Sequence, residues 1–223
     1  DPVAMVHCNN CTSDLNAWVG LFAEFAECFN IKADKNTLFS TLYQKAMEGD
    51  KDCGGMIACN YYSGEPVTGL EEGRPMFLRR PDSHLGLANF MRSHLYASLA
   101  TLKIGLDILL KEEDVKIDSI TGHGGLFKTK GVGQSILAAA MNAPISVMET
   151  AGEGGAWGMA LLAAYMLSKK DGQSLGDYLD SRVFTERKSE TMEPDLADVA
   201  GFEMYTKQYQ ACLAAEKAAV QAF

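Results

Sequence analysis

The sequence predicts an α/β protein, because short β-rich segments alternate with longer helical periods. The clearest evidence is two consecutive units of strand, glycine turn and helix. The first unit has a strand at residues 115–121 and a helix that begins near Gln134. The second has a strand at residues 144–148 and an alanine-rich helix at residues 159–167. Such alternation is typical of strands that are covered by helices.

The first half of the chain shows the same two periodicities. Apolar residues recur at steps of three and four in three segments, which predicts helices at residues 15–29, 36–47 and 87–110. Thr12 or Ser13 is suited to cap the first of these helices. Short runs of β-branched, aromatic and sulfur-containing residues predict strands at residues 3–7, 56–62 and 76–78.

The last fifty residues are more charged than the rest. They predict a short helix and turn at residues 174–184, a loop at residues 185–194 and a final helix at residues 196–223. Since no linker of disordered composition divides the chain, we expect residues 1–223 to form a single domain. Asp1 directly precedes a predicted strand, so we expect the chain to be a piece of a longer protein.

Composition excludes several functions. A formal net charge of -9 argues against binding of nucleic acid or of an anionic membrane, because both require a cationic surface. No apolar run approaches the roughly 20 residues that span a bilayer, and we identify no signal peptide, so we expect a cytoplasmic protein. The charge leaves a nucleotide site possible, because backbone N–H groups and one lysine suffice to hold phosphates.

The turn at residues 122–133 is the main candidate site. It is neither a P-loop nor a Rossmann fingerprint, because it has no Gly-Lys-Ser/Thr sequence and no glycine at the sixth position. Gly124 and Gly125 follow a strand and would let a flat ligand or a phosphate lie against the backbone. Thr129 and Gln134 fall on the first turn of the next helix and face the same space. On these residues alone, nucleotide binding and a purely structural turn both remain open.

Two other motifs allow more than one interpretation. Residues 151–158 form a second glycine turn, which we interpret as close packing of a helix on the sheet. Cys8 and Cys11 form a lone C-x-x-C with no second pair to complete a zinc site, so we expect reduced cysteines. A redox or zinc protein built on these two cysteines is kept as an alternative hypothesis.

Three features then occur in a recognisable order. They are Tyr-Tyr-Ser-Gly-Glu-Pro (61–66), Gly-Leu-Glu-Glu-Gly-Arg-Pro (69–75) and the long helix at residues 87–110, with Arg92 near its start. This order resembles the C-terminal half of sugar kinases of the FGGY family, and most of all xylulose and ribulose kinases. The resemblance is good for residues 61–167 and looser elsewhere. It implies one lobe of an actin-like ATPase, ribonuclease-H-like fold, with a mixed sheet flanked by helices.

The resemblance also implies an activity and a site. Such kinases transfer the γ-phosphoryl group of ATP, with Mg²⁺, to a sugar hydroxyl, here of a pentulose such as xylulose or ribulose. Glu65 would contact the substrate or lie at the interface between lobes. By position, the residues that would bind the nucleotide are Gly124, Gly125, Leu126, Thr129, Gln134, Ala97 and Thr101, and Thr129 stands where the family often has Asn.

No catalytic residue is assigned within the chain. The family's general-base aspartate and its Gly-Thr-Ser phosphate turn lie upstream of the Ser-Gly-Glu turn, and we interpret Asp14, the one tempting substitute, as a helix cap. The resemblance therefore implies that the catalytic aspartate precedes Asp1 and that an absent N-terminal lobe supplies most sugar contacts. We expect the chain alone to be inactive, and the C-terminal helix leaves a homodimer possible. The alternative is an actin-like or Hsp70-like ATPase domain that serves assembly or partner binding.

Overall fold

The computed structural model describes residues 5–148, 154–185 and 189–222. Its helices are α1 (Ser13–Cys28), α2 (Lys35–Ala46), α3 (Leu87–Asp107), α4 (Val132–Met141), α5 (Gly154–Ser168), α6 (Leu175–Arg182) and α7 (Leu196–Ala222). Its strands are β1 (Met56–Cys59), β2 (Met76–Arg79), β3 (Ile120–Gly122), β4 (Ile145–Met148) and β5 (Ser189–Met192). The predicted α/β class is confirmed, and every predicted helix is present.

The strands form two sheets in the described residues. β1 and β2 pair antiparallel. In the second sheet β4 lies between β3, to which it is parallel, and β5, to which it is antiparallel. This is the expected mixed sheet. The prediction of a loop at residues 185–194 was wrong where β5 forms. The sequence did not indicate this strand, because three of its four residues are exposed and it lacks an alternation of apolar and polar residues.

Other boundaries also differ from the predictions, and β1 ends at Cys59 although the strand was predicted to reach residue 62. Of the strand expected at residues 115–121, only the last two residues belong to β3, and residues 115–119 are exposed. Residues 5–7 are not in a strand, and the start of that predicted strand lies outside the described residues. In the second glycine turn, α5 already begins at Gly154, while residues 151–153 lie outside the described part.

Helix α3 is the centre of the hydrophobic core. Every residue from 91 to 100 is buried, because α3 is covered by α2, β1, α4 and α7. Helix α7 contributes Phe202, Tyr205 and Tyr209, which are all fully buried. The hydroxyl of Tyr205 lies 2.9 Å from the carbonyl oxygen of Ser93, to which it donates a hydrogen bond. A buried aromatic side chain thus packs and satisfies its polar atom at the same time.

Arg92 anchors the start of α7 to this core. Its guanidinium is buried, pairs with Asp198 and donates to the hydroxyl of Tyr96 at 2.9 Å. Lys51 reaches Asp198 from outside at 2.8 Å. Removal of one partner from a buried pair leaves an uncompensated charge, so this pair fixes how α7 meets α3.

The cap of α1 differs from the interpretation of the sequence. The N-cap is Thr12, which makes no side-chain cap hydrogen bond. Asp14 is buried in the first turn, where its Oδ2 accepts a hydrogen bond from Nε1 of Trp18 at 3.2 Å. The same oxygen lies 3.0 Å from Nδ1 of the buried His94 on α3. Asp14 therefore connects α1 to the core.

In the described part of the chain, no helix combines the length and the apolar character that crossing a membrane requires.

Candidate functional site

A groove of about 690 Å³ opens beside the glycine turn. One wall is the turn itself, and the other is the start of α1 together with the first half of α2. We call it the polar groove, and its lining residues are Thr12, Asn16, Lys35, Asn36, Thr37, Phe39, Ser40, Tyr43, Gly125, Leu126, Lys128 and Thr129. Its volume falls in the range of small-molecule sites, roughly 300–1,000 Å³.

The glycine turn exposes its backbone at Gly124 and Gly125, and Gly125 lines the polar groove. Gly124 has φ 111°, a conformation that favours glycine, and its carbonyl oxygen accepts a hydrogen bond from the N–H of Phe127 at 3.1 Å. A Cβ atom on Gly124 or on Gly125 would meet no other atom within 4 Å. Helix α4 begins shortly afterwards, at Val132, and directs its positive dipole end toward the turn. The turn can therefore accept a flat or anionic group.

Helix α2 is held in place opposite the turn. Oδ1 of Asp34 accepts hydrogen bonds from the N–H groups of Asn36 at 3.0 Å and Thr37 at 3.1 Å. The hydroxyl and N–H of Thr37 are the main cause of the lowered pKa of Asp34. At the other end, Nε2 of Gln44 donates to the carbonyl oxygen of Lys130 at 3.2 Å. These contacts fix both ends of the α2 wall.

Four of the residues that the sequence suggested for the nucleotide are brought together. Gly125, Leu126 and Thr129 line the polar groove. Gly124 lines an adjacent apolar cleft of about 600 Å³, which Gly125 and Leu126 share. The turn thus separates a polar space from an apolar one.

Ala97 and Thr101 on α3 do not reach the polar groove. Both are buried in the core, and Oγ1 of Thr101 lies 3.1 Å from the hydroxyl of Tyr61, in hydrogen-bonding contact. The reason is the rotation of α3, which turns Leu102 and Leu106 toward the apolar cleft. The expectation that Ala97 and Thr101 face the nucleotide is not supported by their positions.

Gln134 also has a different environment from the one expected. It is buried, and its Nε2 donates to the carbonyl oxygens of Ile145 at 2.6 Å and Glu190 at 2.7 Å. It therefore ties β4 to β5 below the glycine turn. It lines a neighbouring cavity of about 550 Å³ and not the polar groove.

Sequence reasoning missed the whole opposite wall of the groove. The polar residues Asn36, Thr37, Ser40 and Tyr43 recur at three- and four-residue steps on the short helix α2. This polar stripe was a usable signal, because it lies beside the apolar face that packs on the core. That it faces the glycine turn, almost ninety residues later in the chain, was not visible in the sequence.

Glu65 is fully buried and makes contacts inside the chain. Its Oε2 accepts hydrogen bonds from the N–H groups of Asn9 at 2.9 Å and Asn10 at 3.2 Å, and from Nδ2 of Asn10 at 3.3 Å. Oδ1 of Asn10 in turn accepts from the N–H groups of Tyr62 at 2.9 Å and Ser63 at 3.1 Å. We call these contacts between residues 9–10 and 62–65 the asparagine clamp.

The two cysteines beside the clamp show no sign of special chemistry. Burial is the main cause that raises the pKa of Cys8 to about 11, and burial also raises the pKa of Cys11. A raised pKa disfavours the thiolate, which is the reactive and metal-binding form. Across residues 5–148, 154–185 and 189–222, no three His, Cys, Asp or Glu side chains gather in a way that could hold a metal ion. The redox and zinc hypotheses gain no support.

A mixed α/β lobe with a polar groove between a backbone-exposing glycine turn and two helix starts has the geometry that small-molecule sites of α/β proteins share. The family follows from comparison with known sequences. The sequence profile of the C-terminal domain of the FGGY family of carbohydrate kinases matches residues 1–167, and the chain belongs to this family. This confirms the resemblance and favours a kinase over the filament or chaperone alternative. No curated protein matches the chain.

Solved kinase structures share the fold. A xylulose kinase from Rhodospirillum rubrum has a TM-score of 0.62 at 19% identity, over 91% of this chain and 37% of its own. A gluconate kinase from Lactobacillus acidophilus has a TM-score of 0.61 at 19% identity, over 88% of this chain and 38% of its own. A Plasmodium falciparum glycerol kinase, solved with ADP, has 0.56 at 17%, over 86% and 37%. The chain thus spans well under half of their lengths, and the actin-like ATPase fold is confirmed.

Proposed function

We propose that this chain is the nucleotide-binding lobe of an ATP-dependent carbohydrate kinase that phosphorylates a sugar hydroxyl in the cytoplasm. The observation that carries the proposal is the polar groove, in which the exposed backbone of Gly125 faces the polar starts of α1 and α2. Family membership supports the same reaction. We further propose that residues 1–223 form one lobe without catalytic activity of its own.

The nucleotide would lie in the groove with its base and ribose against the glycine turn. The backbone of Gly125 and Leu126 offers a flat surface, while Asn16, Asn36 and Thr37 offer donors and acceptors to the base or the ribose hydroxyls. Such a mixture of an apolar surface and a few polar groups is typical of small-molecule sites. The Plasmodium falciparum glycerol kinase, a structural neighbour, was solved with ADP, which supports a nucleotide as the kind of ligand.

Phosphoryl transfer asks for positioning and charge neutralisation more than for covalent work by the protein. This lobe would supply the positioning of ATP, while the general-base aspartate and most sugar contacts would come from an N-terminal lobe. Magnesium is expected with ATP, but the described residues do not bring a set of ligands together for it, so we assign this chain no metal-binding role.

The proposed sugar is a pentulose such as xylulose or ribulose. The motif order of the sequence supports this, and xylulose kinases are among the structural neighbours. Gluconate and glycerol kinases are also among them, so fold likeness alone does not select the sugar.

The binding proposal is tested by titration of the 223-residue chain with Mg-ADP, followed by amide NMR. We expect the largest shifts at Gly125, Leu126, Thr129, Asn36 and Thr37, and no comparable shifts at the core residue Ala97. Shifts elsewhere would reject the polar groove as the site while keeping nucleotide binding. The absence of any shift at millimolar Mg-ADP would contradict nucleotide binding by the lobe itself.

The activity proposal needs a chain extended upstream. We expect it to form ADP only when sugar is present, and faster with xylulose than with gluconate or glycerol, whereas the 223-residue chain turns over nothing. ADP formation that ignores sugars would contradict a carbohydrate kinase. Faster turnover with gluconate or glycerol would reject the pentulose and keep the kinase.

A further inference from the structure

We propose that Glu65 and Asn10 are positioning residues for the polar groove, which they serve by holding the start of α1 in place. This inference rests on the proposed nucleotide function of the groove. It concerns neither a contact with the nucleotide nor one with the sugar, because neither residue lines the groove.

The clamp acts on the segment that leads directly into the groove wall. Residues 9 and 10 are held to the Ser-Gly-Glu turn by Oε2 of Glu65 and both ends of the Asn10 amide. Nδ2 of Asn60 adds a hydrogen bond to the carbonyl oxygen of Cys11 at 2.8 Å. The next residue, Thr12, lines the groove, and its carbonyl oxygen accepts the N–H of Asn16, a second lining residue, at 3.1 Å.

Helix α1 lacks the usual means of fixing its own start. Its N-cap Thr12 makes no side-chain cap hydrogen bond, so the first turn is not held by a cap of its own. Apart from the contact of Asp14 with α3, the position of Thr12 depends on the chain that precedes it, and that chain is held by Glu65. The absence of a cap makes the clamp the connection between the Ser-Gly-Glu turn and the groove.

The carboxylate is suited to this task. Glu65 is fully buried, and three N–H donors converge on its Oε2. A carboxylate oxygen accepts such hydrogen bonds more strongly than the oxygen of a neutral amide does. Its Oε1 is buried with no hydrogen-bond partner among the described residues. The turn is closely packed as well, because a Cβ on Gly64 would lie 2.2 Å from the carbonyl oxygen of Glu71.

The test compares Glu65→Gln with the control Glu71→Gln, which removes the same charge from an exposed side chain six residues away. The amide keeps the size of Glu65 but weakens the charge-assisted bonds and places an N–H₂ group where Oε1 has no acceptor. We expect the Kd of the 223-residue chain for Mg-ADP, measured by calorimetry, to rise roughly tenfold in E65Q and to stay unchanged in E71Q. Hydrogen exchange should quicken at residues 9–16 and remain slow in α3.

A second variant, Asn10→Ala, addresses the same contact from its other side. Because both residues act through one segment, we expect the double variant to bind Mg-ADP no more weakly than the weaker-binding single variant. Additive losses, or an E65Q chain that binds like E71Q, would overturn the inference and leave the proposed function intact. A wild-type chain that binds no Mg-ADP would overturn the proposed function first, and the inference with it.

Discussion

Gly125 is a residue at which the groove can be perturbed with little effect on the fold. Unlike Gly124, it does not have a positive φ, and a Cβ there would meet no atom within 4 Å. We expect Gly125→Val to change the free energy of unfolding by less than about 1 kcal/mol. Because the valine side chain would occupy the space in front of the backbone, Mg-ADP should bind at least about tenfold more weakly. Calorimetry and urea unfolding measure the two effects.

The smaller change Gly125→Ala is the matched control for that variant, and we expect it to weaken binding less than valine does. A Gly125→Val chain that binds Mg-ADP like the wild type would contradict a ligand position against this backbone.

Glu216 gives a pH dependence whose sign can be worked out. It is fully buried on α7, its Oε1 accepts the N–H of Arg74 at 2.5 Å, and Oε2 has no partner among the described residues. Burial is the main cause that raises the pKa of Glu216. Its contribution to stability is therefore present below the pKa of the unfolded chain and is lost as the pH rises through the folded value.

We expect the free energy of unfolding of Glu216→Gln, relative to that of the wild type, to be higher at pH 7 than at pH 4. The reason is that the amide never has to carry a buried charge. The free energy of unfolding in urea, measured for both chains at both pH values, checks this. A difference between the chains that does not change with pH, or that changes in the opposite sense, would contradict a raised pKa at this residue.

At the scale of elements, two glycines in helices have opposite surroundings. A Cβ on Gly201 in α7 would lie 2.1 Å from the carbonyl oxygen of Lys51, so only glycine lets α7 approach that loop. A Cβ on Gly20 in α1 would meet nothing within 4 Å. The same substitution therefore tests close packing in one helix and helix propensity in the other.

We expect Gly201→Ala to lower the free energy of unfolding by about 2 kcal/mol, as overpacking does. Gly20→Ala should raise it by up to about 1 kcal/mol, because alanine loses less conformational entropy in a helix. Urea unfolding of both variants measures this difference. A neutral Gly201→Ala would mean that α7 does not approach the loop so closely.

At the scale of the whole molecule, the core extends beyond the segment that defines the family. The family match ends at residue 167, but α7 lies after it and buries Phe202, Tyr205 and Tyr209 against α3 and β1. The lobe therefore depends on a helix outside the matched domain. Each large side chain of this kind is worth about 3–5 kcal/mol when removed from a core.

We expect a chain that ends at residue 195 to lose cooperative thermal unfolding, because the lost burial is comparable with the whole stability of a usual domain, about 5–15 kcal/mol. A chain that ends at residue 217 keeps the buried residues of α7 and serves as the control. Circular dichroism melting distinguishes them. Cooperative melting of the shorter chain would show that residues 1–195 form the stable unit by themselves.

Local periodicity was sufficient for most of the elements. Helices α1 and α3 were predictable because long apolar stripes at three- and four-residue steps have few other interpretations. Helix α7 was predictable because its segment is rich in Ala, Glu, Lys and Gln, which favour helices. Strand β5 was not predictable, because its side chains are mostly exposed and its pairing with β4 is made by backbone atoms. Exposed strands leave little trace in the order of apolar residues.

The candidate site divides in the same way. The glycine turn could be identified from the sequence, because adjacent glycines after a predicted strand indicate a tight turn of the backbone. The opposite wall, with Asn36 and Thr37, could not be identified from the sequence, and neither could the burial of Ala97 and Thr101 in the core. Both depend on how α1, α2 and α3 pack against a turn that is distant in sequence.

By itself, the sequence determined the α/β class, the kinase family and the position of the glycine turn, since these depend on local patterns and on the order of motifs along the chain. Only the tertiary structure decided that Glu65 and Asn10 hold the start of α1, and that α1 and α2 complete the groove. The physical reason is that the burial and the hydrogen-bond partners of these residues depend on contacts between segments that are distant in sequence. The composition of neither segment specifies them.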